Sequence, residues 1–155
     1  MKTMQADASG TAAQTAKADL YSRDILRLAA SLPHGDRIAD AHGSATRRSP
    51  VCGSEIAADV SVASDGKVAA LAFRARACAL GQASAGLLRE VAAGRSRDEI
   101  AQVRNDLAAA LSGTGPFDAL WPQLACFAPA RDHPGRHAAI LLPYDALIDA
   151  LSMAG

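Results

Sequence analysis

Aromatic residues are scarce in this 155-residue chain: three Phe, two Tyr and one Trp, or 4% of the total. With so few rings, and with 50% of the residues apolar, the core must be built from aliphatic and small side chains, which predicts close approaches between elements. Neither sign of charge is in excess. Sixteen basic residues balance sixteen acidic ones, which argues against non-specific nucleic-acid binding. No apolar run reaches the roughly 20 residues that span a bilayer. The opening MKTMQADASGTAAQTAKAD lacks the continuous apolar stretch of a secretory signal. A soluble, cytoplasmic protein without membrane or nucleic-acid partners is expected. Cysteine occurs only three times, which in that compartment suits free thiols or metal ligands better than a disulfide framework. Also missing are a Gly-rich phosphate loop, G-x-S-x-G, H-E-x-x-H, C-x-x-C and a carboxylate pair outside helix starts and solvent faces. The chain does not read as an enzyme.

The length fits one domain. Residues 1–18 are Ala, Thr, Ser, Gln and Asp without aliphatic periodicity, and read as a disordered tail preceding a domain over 19–153. A helix is predicted from near Asp19 to Ser31, with Tyr21, Ile25, Leu28 and Leu32 on one face and Pro33 beyond its end. Ser44 to Arg48 admits a short strand. Ile56, Ala58, Val60 and Val62 alternate with polar or small residues, as do Ala69, Leu71, Phe73 and Ala75. Between them lies Ser64-Asp65-Gly66-Lys67, a turn signal. A hairpin bent between Asp65 and Gly66 sets Ile56 opposite Ala75, Ala58 opposite Phe73, Val60 opposite Leu71 and Val62 opposite Ala69, so that one face is apolar throughout. Further helices are predicted over Leu80–Ala93, closing at Gly94, and from the capping box Ser96-Arg97-Asp98-Glu99 to near Gly113. A last one is predicted from Pro143. FDALWPQLACFAPARDHPGRH reads as a partly helical connection ending in a loop.

The cysteines carry the chemistry. Extending the hairpin to its open end places Cys78 opposite Gly53, one step from Cys52, so folding alone brings the two thiols within about 10 Å, on opposite faces if both strands stay regular and with their orientation left open by Gly53 and the helix start after Cys78. Cys78 stands at the start of a helix, where unpaired backbone N–H groups favour a thiolate, and Arg47, Arg48, Arg74 and Arg76 fall near the same end of the sheet. A thiolate binds metal and attacks sulfur. Cys126, among large apolar residues, reads as core packing. His34 and His42 read as solvated. His133 and His137 are separated by Pro134 and Gly135, which rules out a helical metal pair, although His137 precedes an apolar run that can hold it near the sheet end.

Taken together, LYSRDILRLA, P-V-C-G-S, the hairpin, RACALGQASAGLL and RHAAILLPYDALIDAL resemble the iron–sulfur cluster assembly scaffold family of IscU and SufU type, which includes the N-terminal domain of NifU. The resemblance runs from about Leu20 to Met153. It implies an α+β fold, a small three-stranded antiparallel sheet packed against several helices, with a site at one end of the sheet for zinc or a [2Fe–2S] cluster. The implied ligands are Cys52 and Cys78, which match the family's first two cysteines, and His137, which matches its histidine. Two departures stand out. Ser54 replaces the usual aspartate after the C-G pair, and Ala138 replaces the third cysteine. A fourth donor would have to come from Asp132, His133, Cys126, a small molecule or a second subunit of a homo-oligomer. The resemblance implies a scaffold or carrier that holds a cluster transiently, with a cysteine desulfurase as sulfur donor and apoproteins as recipients. Two alternatives follow from the same residues: a zinc- or thiol-dependent sulfur acceptor, with Cys78 as nucleophile, and a non-metallated homologue acting as a regulatory partner.

Overall fold

The computed structural model describes residues 20–155; the expected tail over 1–18 lies outside the described residues. Three strands, β1 (Gly43–Arg48), β2 (Glu55–Val62) and β3 (Val68–Arg76), form an antiparallel meander in the order β1-β2-β3. Among the described residues, four α-helices of defined bounds follow or precede them: α1 (Arg23–Ser31), α2 (Ala79–Val91), α3 (Arg97–Leu111) and α4 (His137–Ala154). Two 3-10 segments, Pro122–Asp132 and Pro134–Arg136, carry the chain from α3 to α4. The fold is α+β, as expected. Helix α4 packs on β1 and β2 and α2 on β3, while α1 lies on α2 and α3 on α4. The core fills the space between one sheet face and these helices, with Ile56, Phe73, Leu80, Leu88, Ile140 and Leu147 almost wholly buried. No helix among the described residues is long and apolar enough to cross a membrane.

The β2–β3 register agrees with the predicted one from Ile56↔Ala75 to Ser61↔Ala70, and then departs from it. Val62 pairs with Val68 rather than Ala69. The turn is a three-residue loop rather than a two-residue one: Gly66 N–H donates to Ala63 O at 2.9 Å, and Ala63 N–H to Lys67 O at 2.9 Å. Gly66 has φ +81°, and this loop type ends in a bulge that adds one residue to the second strand. The bulge leaves Ala69 exposed and turns Val68 inward, which buries the larger side chain.

Three helix boundaries also differ. Helix α1 starts at Arg23 because the Ser22 hydroxyl accepts the Ile25 N–H at 3.3 Å. Helix α2 starts at Ala79 and ends at Val91, two residues short of the predicted end. Helix α4 starts at His137, and Pro143 lies inside it. Proline removes one hydrogen bond and crowds the carbonyl four residues earlier, here that of Ala139, on the part of α4 that α2 approaches closely. Ser84 donates its hydroxyl to Ile140 O at 2.6 Å, while Gly81 lies so close to Ala139 that a Cβ there would stand 3.3 Å from the Ala139 carbonyl oxygen. The Ser96 cap of α3 stands as predicted, its hydroxyl accepting the Glu99 N–H at 3.1 Å.

Tyr144 is fully buried with its ring centroid 6.3 Å from that of Trp121, and its hydroxyl has no hydrogen-bond partner. Burial pushes that hydroxyl well above its ordinary pKa. An orphaned buried hydroxyl costs more than it contributes, so Tyr144→Phe is expected to stabilise the fold by about 1 kcal/mol, seen as a higher midpoint in thermal unfolding. A lowered midpoint would show that the hydroxyl is satisfied in solution.

Candidate functional site

The β2–β3 ladder ends at Glu55↔Arg76, and each strand runs directly into a cysteine segment. The expected pairing of Cys78 with Gly53 does not form, because the chain turns away on both sides. On the β2 side, Ser49 to Ser54 is a closed turn: Ser49 N–H donates to Ser54 O at 2.8 Å and Gly53 N–H to Ser49 O at 2.9 Å. Gly53 takes φ +72° in open space, so glycine is required there for its backbone conformation rather than for room. On the β3 side, Cys78 is the N-cap of α2. It adopts extended backbone, its carbonyl accepts the Gln82 N–H at 3.0 Å, and its side chain makes no capping bond.

Cys52 is exposed, and its thiol donates to the Ser54 hydroxyl at 3.1 Å. Partial burial pushes this thiol up, but the Ser49 and Ser54 hydroxyls and the backbone N–H groups of Ser54 and Cys52 outweigh it and hold the pKa below the ordinary thiol value. Both serines are about 95% buried, at 4% and 5% exposed, and the Ser49 hydroxyl has no partner in the resting geometry. It is a donor held in reserve for a charged sulfur. Sequence reasoning missed this pair, because serine beside proline or glycine reads as a turn former. Ser54, noted only as the replacement for an aspartate, turns out to be a sulfur partner.

The close contact of Gly81 with Ala139 and the Ser84–Ile140 bond bring the first turns of α2 and α4 together. This sets His137 and Ala138 on the turn of α4 that leads toward the Cys78 end of α2. The His137 ring places Nε2 2.7 Å from Ala130 O, a contact in which Nε2–H donates and Nδ1 is left as the lone-pair nitrogen. His133 is half-buried and Asp132 exposed, at the end of the preceding 3-10 segment. Cys126 is elsewhere. It lines a cleft with Leu87 and Glu90, roughly 15 Å along α2 from Cys78, and burial raises its thiol to about 11. It therefore belongs to the core margin, as its sequence context predicts.

Of the four arginines expected at this end, Arg47 bonds Asp149, Arg48 bonds Glu55 at 2.9 Å and Arg74 bonds Asp59 at 2.8 Å. Arg76 has no partner among the described residues. No group of three or more His, Cys, Asp or Glu side chains placed to share an ion occurs among the described residues. The candidate donors are thus two soft sulfurs on the segments flanking the open end of the hairpin and an imidazole on a neighbouring helix, not gathered into one cluster among the described residues, and Ala138 adds nothing to them. Such a set suits thiophilic cargo such as iron–sulfur units or zinc, with further donors supplied from outside these residues.

No curated protein matches the chain significantly. Among solved structures, the N-terminal part of a nitrogen-fixing NifU-like protein from Brucella abortus is similar at 32% identity and a TM-score of 0.80, covering 90% of this chain and 96% of that one. The fold is also shared with a protein assigned as an iron–sulfur cluster assembly scaffold for the SUF system, FiSufU from the thermophile Fervidobacterium islandicum AW-1. That match has 23% identity and a TM-score of 0.77, over 86% of this chain and 98% of that one. The family model for the NifU-like N terminal domain matches residues 20–125, a span holding both Cys52 and Cys78, and on these grounds the chain belongs to the NifU-like N-terminal domain family.

Proposed function

We propose that the chain is an iron–sulfur scaffold, with residues 19–153 as its working domain. Cys52 and Cys78 hold a transient [2Fe–2S] cluster or its iron, His137 assists through Nδ1, and the cargo passes to recipient apoproteins after a cysteine desulfurase has supplied the sulfur. The observation that supports this reading is the position of two free cysteines on the segments flanking the open end of one hairpin, one on a hydroxyl-lined turn and one at a helix N-cap. Exposure of Cys52 suits a site whose contents must leave. Two thiols instead of three suit weak retention, because each thiolate–metal bond lost shortens the lifetime of the cargo.

The test is anaerobic reconstitution with iron and sulfide, followed by visible absorbance with iron and acid-labile sulfide analysis. Wild type is expected to develop sulfur-to-iron charge-transfer bands, Cys52→Ser and Cys78→Ser to retain several-fold less iron, and His137→Ala to lose less than either. Ala138→Cys is expected to lengthen the lifetime of the bound cluster by restoring a third sulfur. Equal iron retention in wild type and both serine variants would refute the reading.

The hydroxyl-lined Cys52 favours a second reading, sulfur acceptance with or without zinc. The Cys52 thiolate attacks the outer sulfur of a donor persulfide, forming a new S–S bond, and the donor leaves as its own thiolate. In that case Cys52→Ser abolishes sulfur uptake while wild type never develops cluster absorbance. This assigns the nucleophile to Cys52 rather than Cys78, because Cys52 is the cysteine with the serine donors.

A further inference from the structure

On the sheet face turned away from the core, a cavity of about 310 Å³ lies between the loop after α1 and the cysteine end of β2 and β3. Leu32 and His34 form one side, Glu55, Arg74 and Arg76 the floor, and Gln82 of α2 the far wall. This volume is at the small end of ligand sites, the size for one small metabolite rather than a nucleotide cofactor. The charges inside it do not cancel. Arg48, Glu55 and Arg76 form one row across the three strands by register, and Glu55 bonds Arg48. Arg74 is committed to Asp59 and to Asp36 O. Among the described residues Arg76 is left as a surplus guanidinium, with its planar fork of donors open to a carboxylate. Gln82 gives its Nε2–H to Ala77 O at 2.9 Å and keeps its side-chain oxygen as an acceptor.

This cavity adjoins the cysteine site through the chain itself. Arg76 and Gln82 bracket Cys78, and the Gln82 N–H bonds the Cys78 carbonyl. Across the site, Ala138 provides no donor. We propose that the cavity binds a small thiol carboxylate, with its carboxylate on Arg76 and its sulfur serving as the outside donor for cargo held at Cys78. The sulfur's role rests on the scaffold reading above, whereas the carboxylate's rests on the cavity alone.

The experiment separates the two. Metal-free wild type is titrated anaerobically with L-cysteine and with L-serine, followed by calorimetry or amide chemical shifts. Saturable binding of both near the millimolar range is expected, weakened about tenfold by Arg76→Gln and unchanged by Cys52→Ser. No saturation, or wild-type affinity in Arg76→Gln, overturns the site whatever reconstitution shows. In the second arm, reconstituted protein is expected to hold its cluster longer in L-cysteine than in L-serine, with the advantage lost in Arg76→Gln and made redundant by Ala138→Cys. Equal lifetimes in the two amino acids overturn the sulfur's role and leave the scaffold reading intact. Absence of any cluster removes the scaffold reading and the sulfur's role with it, and the titration then decides the carboxylate site by itself.

Discussion

Gly86→Ala is expected to lower the stability of the fold by about 3 kcal/mol or more. Gly86 lies on α2 where α1 crosses it. A Cβ at this position would overlap the Leu28 carbonyl oxygen, standing 3.0 Å from its carbon and 3.1 Å from Ser31 Oγ. The obstacle is backbone, and it is braced, because the Ser31 hydroxyl donates to Leu28 O at 2.7 Å. Relief therefore requires the two helices to part and to open the packing of Ile25, Leu28, Leu87 and Leu88. The sign is diagnostic, since in an isolated helix the same change would stabilise by about 1 kcal/mol. Urea unfolding of the two proteins measures the difference, and an unchanged or raised midpoint would refute the close approach of α1 and α2.

Asp59→Ala is expected to cost about 3–5 kcal/mol, the range for removing one partner of a buried ion pair. Asp59 is 5% exposed. Its carboxylate accepts two bonds from Arg74, at 2.8 and 3.2 Å, one from the Ser44 hydroxyl at 2.8 Å and one from the Ile38 N–H at 3.1 Å. It thereby ties β1, β2, β3 and the loop after α1 to one point, and its loss would leave the Arg74 guanidinium without a carboxylate. Arg74 holds the carboxyl down and burial pushes it up, with Ser44 and the Ile38 N–H adding to the downward side, so that it titrates at about 2 instead of 3.8. A folded-state pKa below the unfolded one contributes stability that is full above the unfolded value and is lost as pH falls through the folded one. Here that contribution amounts to roughly 2 kcal/mol, disappearing between about pH 4 and 2. Unfolding free energy measured across that interval should fall more steeply in wild type than in Asp59→Ala, and parallel curves would show that the pair carries no such linkage.

The parts of this architecture that were legible in the sequence are those specified by local periodicity. Ile56 to Val60 and Leu71 to Ala75 fix the register because a slip by one residue would turn Phe73 to solvent. The bulge at Ala69 was not legible, because Ser-Asp-Gly suits a two-residue and a three-residue turn alike, and the choice is made by burying Val68. Pro143 read as a helix start because local rules place proline in the first turn. The helix instead begins at His137, on a stretch packed against Ser84 and Gly81 some sixty residues upstream, a contact no local rule reports. The hairpin places the two cysteine segments at its open end, but the expected pairing of Cys78 with Gly53 does not form, because the ladder stops at Glu55 and Arg76. The serine hydroxyls around Cys52 and the lack of a partner for Arg76 among the described residues are not legible in the sequence, since both depend on which partner each polar group takes after folding.

The placement of α4 bears on how the chain folds as it leaves the ribosome. The meander closes through short connections and can pair as soon as it is made. Its apolar face, however, is covered by a helix much further along, as the Arg47–Asp149 bond, 102 residues apart in sequence, makes plain. Until that helix has been translated and docked, β1 and β2 present bare hydrocarbon to water or to a holding chaperone. The slow, aggregation-exposed interval in the birth of this domain is therefore set by the wait for α4.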